Sequence, residues 1–96
     1  MLRNFRKELE ETRKGVLAAM QATQPSRAFG AAITLAAIHL GLTEMEIRKT
    51  NNLKERRTKI NEFDRIKHAI QKGTHLLTSP RPRTRFPPED QKQYLP

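Results

Sequence analysis

The chain has 96 residues, a formal net charge of +9 at pH 7, 35% hydrophobic residues and no Cys. Without Cys there can be no disulfide, thiolate metal site or thiol nucleophile. The basic excess favours polyanionic partners such as nucleic acid or anionic head groups, and the small apolar fraction suggests that a partner contributes to stability.

Residues 1–23 are predicted to form an amphipathic helix, because apolar residues recur at three-, four- and seven-residue steps. These are Leu2, Phe5, Leu9, Val16 and Met20. The stripe is narrow, which suits contact with one partner helix or with a membrane surface. Pro25 is expected to end this helix and Ser26 to cap the next one.

Residues 27–43 are predicted to form an apolar helix, since 28–43 carry no charge. Sixteen residues span roughly 24 Å, which is short for a hydrocarbon core of ~30 Å but sufficient beside a larger membrane protein. The segment is therefore predicted to be membrane-embedded. Its small residues Gly30, Ala37 and Gly41 are predicted contacts with a partner helix, and His39 is treated as a contact residue.

Residues 44–73 are predicted to form a charged amphipathic helix that Gly73 ends and that the Asn51–Asn52 pair can interrupt. Its apolar stripe is predicted to contact a partner and consists of Leu53, Ile60, Phe63, Ile66 and Ile70. Residues 74–96 hold five of the six prolines and are predicted to form an extended tail.

Two nucleic-acid alternatives remain open on these residues. In a helix-turn-helix, Gly41 would open the turn, Thr43 would cap the recognition helix, and Arg48, Lys49 and Asn51 would face DNA. A basic RNA-binding ribosomal accessory protein would use the charged helix and the tail. Among the residue patterns there is no nucleophile, nucleotide-loop or metal-ligand spacing, so neither an enzyme nor a cofactor is expected.

The predicted fold class is all-α, with two or three helices and an extended Pro-rich C-terminal tail. The order of Arg27, the apolar 28–43 segment, the charged helix and Lys72–Gly73 resembles subunit VIc of cytochrome c oxidase. That family comprises small single-span accessory subunits of a mitochondrial inner-membrane complex. The resemblance implies a non-catalytic subunit that braces larger subunits of a respiratory-chain or ATP-synthase complex and contacts lipid head groups.

Overall fold

The computed structural model describes residues 2–78, which form three helices. They are α1 (Phe5–Thr23), α2 (Arg27–Lys49) and α3 (Leu53–Thr78). The predicted all-α fold class is confirmed. The predicted extended tail lies outside the described residues from position 79 onward, whereas residues 74–78 belong to α3 and so correct the predicted start of the tail.

The first helix has distinct signals at both ends. Asn4 caps its start, since the Asn4 side-chain oxygen accepts from the Lys7 N–H at 3.0 Å. At its end Gln24 adopts a left-handed backbone (φ 50°), and its N–H donates to the Met20 carbonyl at 3.0 Å. Pro25 disfavours the helical conformation for the residue before it, so the predicted break at this point is confirmed.

The second helix begins at the predicted cap and continues past the predicted boundary. The Ser26 hydroxyl accepts from the Phe29 N–H at 3.1 Å, which confirms the capping role. The helix then runs without interruption through residue 43 to Lys49. The apolar segment thus runs into the charged segment, as predicted, and the two share one helix as far as Lys49.

The boundary between α2 and α3 lies at residues 50–52. The Asn52 side-chain oxygen accepts from the N–H groups of Lys54 and Glu55, at 2.9 and 3.0 Å. Such a side chain satisfies donors that have no partner within the helix. The single charged helix predicted over 44–73 is therefore wrong: it is divided at the Asn51–Asn52 pair, the place where the sequence allowed an interruption.

The predicted helix stop at Gly73 is wrong, because α3 continues to Thr78. None of the described glycines has a positive φ. Gly73 instead lies against α2: a Cβ built on it would be 3.6 Å from Ile33 Cδ1 and 3.8 Å from Phe29 Cζ. These are ordinary van der Waals distances, so the site has room for a Cβ, and Gly73 is a helical residue of α3 that faces α2.

The three helices pack against one another around one apolar core, with α2 antiparallel to both neighbours. Contacts of α1 with α3 join Phe5 to Phe63 and Glu8 to Lys67, so these two helices run in the same direction. The two phenyl rings meet edge to face, with centroids 5.3 Å apart. The buried core residues are Leu9, Val16, Ile33, Leu40, Ile47, Phe63 and Ile70.

Candidate interaction surfaces

Most of the predicted partner-contact residues pack within the chain itself. Gly30, Gly41, Phe63 and Ile70 are buried, and Ala37, Ile60 and Ile66 are half-buried. Leu53 differs, since it is 78% exposed at the start of α3. The stripe of α3 that was expected to face a partner therefore supplies the core of this bundle.

The buried glycines of α2 make room for side chains of α1. A Cβ on Gly30 would lie 3.3 Å from Met20 Cε, and one on Gly41 would lie 2.7 Å from Arg13 Nη2. The nearest neighbours of these two glycines are the ends of long side chains of α1 in the same chain, whereas the prediction placed a partner's helix there.

The structure has no turn where the helix-turn-helix alternative requires one. Thr43 lies within α2, and its hydroxyl donates to the His39 carbonyl at 3.0 Å instead of capping a new helix. Arg48 and Lys49 occupy the last turn of α2, and Asn51 lies in the following loop. The predicted placement of these three residues on a recognition helix is therefore wrong.

One face of α2 exposes a row of large apolar side chains, here called the α2 stripe. The row follows steps of three, four and three residues, and its members are 41–65% exposed. They are Leu35, Ile38, Leu42 and Met45. This spacing is that of the a and d positions through which two helices pack side by side.

A groove between α1 and α2 gives the α2 stripe a basic edge. Arg6 and Arg13 of α1 and Arg48 of α2 line this groove together with Ile38, Leu42 and Met45. At its floor the Glu44 side chain is only 2% exposed, and Arg48 Nε donates to Glu44 Oε2 at 2.9 Å. The buried carboxylate thus fixes one of the arginines beside the apolar row.

A second surface, here called the α3 basic stripe, runs along the outer face of α3. Its members recur at three- and four-residue steps, and all of them are exposed. They are Lys54, Arg57, Asn61, Arg65, His68, Lys72 and His75. The spacing of these residues can be read from the sequence, but the sequence interpretation considered the apolar residues on the opposite face of α3.

His39 lies on the edge of α2 that faces α3. Its side chain is half exposed, and Nε2 is 3.5 Å from Glu62 Oε2. Within residues 2–78, no group of His, Asp and Glu is arranged to hold a metal ion. His39 thus has a pairing partner across the helix interface.

The helix α2 is also long and apolar enough to cross a membrane by length and composition. In the bundle, however, one face of α2 is covered by α1 and α3, and both of these helices carry charged outer faces. The fold and its surfaces define an all-α three-helix bundle with one exposed apolar row and one exposed basic row. No protein-family model, curated protein or solved structure matches the chain.

Proposed function

We propose that this chain is a non-catalytic accessory subunit that binds an amphipathic helix of a larger protein along the α2 stripe. The observation that carries the proposal is the row of four large apolar side chains left exposed by a bundle that already has its own core. An exposed apolar row at this spacing is typical of a surface that pairs with another helix.

The shape of the α2 stripe favours a protein helix over a bilayer. Helices that lie in a membrane surface present a broad apolar face, commonly with aromatic residues. The α2 stripe is one side chain wide and has no aromatic member. Because Arg6, Arg13 and Arg48 line one side of it, the complementary helix carries acidic residues at its flanks.

The setting that we propose for this partner is a respiratory-chain or ATP-synthase complex of the mitochondrial inner membrane. The support for this setting is the order of an apolar helix and a charged helix along the chain, since the length and composition of α2 also suit the core of a bundle. The bundle docks there in its closed form, because opening it to make α2 a lone span would expose Phe63, Leu40 and Ile47, which are now fully buried. The subunit braces its partner by adding a helix layer to it.

The test is native gel migration of the tagged full chain from its own cells. Leu42→Glu places a charge in the α2 stripe, and Leu76→Glu is a matched control on α3, since these leucines are 53% and 55% exposed. Wild type and Leu76→Glu should migrate in a larger assembly, and Leu42→Glu should migrate as the free chain. An assembly that retains Leu42→Glu would refute docking at this surface.

Alkaline carbonate treatment of isolated membranes tests the closed bundle separately. A bundle that docks through protein contacts is released into the supernatant, whereas a chain that spans the bilayer through α2 stays in the pellet. Retention in the pellet would overturn the proposed mode of association. Recovery from another cell fraction would overturn the mitochondrial setting.

A further inference from the structure

We infer that the α3 basic stripe is a binding surface for duplex DNA, with α3 lying along the major groove. The stripe extends from Lys54 to His75, so at ~1.5 Å per residue it is about 32 Å long. It faces away from the core, because the opposite side of α3 carries the buried Phe63 and Ile70. The surface is separate from the α2 stripe and independent of the proposed function.

The stripe contains no carboxylate, because all three acidic residues of α3 are directed to intramolecular contacts. Glu55 Oε1 accepts from the Thr50 hydroxyl at 3.2 Å. Glu62 lies within 4 Å of His39 and Lys59. Asp64 accepts two hydrogen bonds from Arg3, at 2.7 and 3.1 Å. Within the part of the chain that the structure describes, the four Lys and Arg side chains of the stripe form no ion pair with a carboxylate; they are Lys54, Arg57, Arg65 and Lys72.

The geometry fits a double helix in the B form. An α-helix with its side chains is about 10–12 Å across, and the major groove of B-DNA is about 12 Å wide. The four Lys and Arg residues of the stripe can reach phosphates along the groove walls, while Asn61 carries an amide of the kind that pairs with adenine edges. The major groove of A-form RNA is too narrow to admit the helix.

The composition of the α3 basic stripe argues against a lipid surface as the occupant, since the exposed Leu53 and Leu76 lie only at the two ends of the helix and form no continuous apolar face. A membrane-bound helix needs an apolar face to bury beneath the head groups. The seven members of the α3 basic stripe are all polar or charged. A row of this kind neutralises phosphates and releases counterions, which is the main source of affinity for DNA.

The test compares two variants of the full chain with equal loss of charge. The first replaces Lys54, Arg57, Arg65 and Lys72 with Gln, and the second replaces four exposed basic residues elsewhere. The control positions are Lys7, Lys14, Arg27 and Lys49. Gln has helix propensity close to that of Lys and Arg, so both variants should keep the helical circular dichroism of the wild type.

Binding to a 20-base-pair DNA duplex is measured by fluorescence anisotropy at several salt concentrations. With four phosphate contacts, wild-type affinity should fall about a hundredfold between 50 and 200 mM salt. The stripe variant should bind at least tenfold more weakly than the control variant and show a shallower salt dependence. Both variants should retain the large assembly on native gels, since neither alters the α2 stripe.

Three results would overturn the inference. Equal loss in both variants would show that net charge alone drives binding. Equal affinity for duplex RNA of the same sequence would exclude the major-groove geometry. Tighter binding to phosphatidylglycerol vesicles than to DNA, lost in the stripe variant, would assign the surface to a membrane instead.

Discussion

Glu8 links α1 to α3 through an ion pair with Lys67. Its Oε1 atom lies 2.6 Å from Arg3 Nη2 and 2.7 Å from Lys67 Nζ. Arg3 also pairs with Asp64, so the segment before α1 is held against the middle of α3. Hydrogen bonds from Arg3, and then from Lys67, lower the pKa of Glu8 from 4.5 to about 2.

This shift predicts a loss of stability in acid. The folded-state pKa of Glu8 lies below its unfolded value, so its contribution is complete above about pH 4.5 and disappears as the pH falls towards 2. Because the side chains of Arg3, Glu8 and Lys67 are partly solvated, we expect the ion pairs of Glu8 to contribute about 1 kcal/mol to the free energy of unfolding. The difference in urea unfolding free energy between wild type and Glu8→Gln should therefore shrink from pH 7 to pH 2.5.

A second readout identifies the cause of the shift. The Arg3→Gln variant lacks the hydrogen bond that lowers the pKa of Glu8 most. The pKa of the Glu8 carboxyl, measured by NMR titration, should therefore rise towards its ordinary value. If the titration of Glu8 is the same in both proteins, Arg3 does not hold this carboxylate in solution.

At the scale of the helices, local signals in the sequence were sufficient to place most of the boundaries. Pro25, Ser26 and the Asn51–Asn52 pair act through their own backbone or the next turn, so their effects can be read without the fold. Gly73 was misassigned, because a glycine ends a helix only where its backbone leaves the helical conformation, and Gly73 stays within α3 without a positive φ.

The functional faces were harder to predict than the helices. Both sides of α2 are apolar, so the sequence does not show that Ile33 and Leu40 are buried while Leu35 and Leu42 are exposed. The apolar stripe of α3 was predicted to contact a partner, whereas in the bundle all its members except Leu53 pack against α1 and α2. Only the packing of all three helices shows which surfaces are left over for partners.

Phe63 offers a test of whether the apolar stripe of α3 packs within the chain or against another protein. Phe63 is fully buried, and its ring packs on Phe5. Truncating a buried Phe costs ~3–5 kcal/mol, so Phe63→Ala should strongly destabilise the isolated chain in urea. Lys59→Ala, which removes a surface pair with Glu46, should change the midpoint little. Unchanged stability of Phe63→Ala would mean that its environment is supplied by another protein.

At the scale of the whole molecule, a chain with few apolar residues still closes a core of its own. It does so by giving each helix one buried face that contributes to the core. The exposed surface of the bundle includes an apolar row on α2 and a basic row on α3. Under the two proposals made above, the partner helix and the DNA duplex would therefore occupy different surfaces.

The central claim is that α2 has one face buried in a closed bundle and the other open to a partner. The chain has no Cys, so single Cys substitutions report one position each. Leu42 lies in the α2 stripe, and Leu40, two residues away, is fully buried. The measurement is the rate at which Leu42→Cys and Leu40→Cys react with a water-soluble maleimide in the purified full chain without detergent.

The closed bundle predicts rapid labelling of Leu42→Cys and labelling of Leu40→Cys that becomes equally rapid only in denaturant. Because Leu40→Cys also removes core volume, Thr43→Cys, at a buried but smaller side chain, is the companion variant and should be protected in the same way. Equal and rapid labelling of all three positions in native buffer would contradict the account, since α2 would then have no buried face.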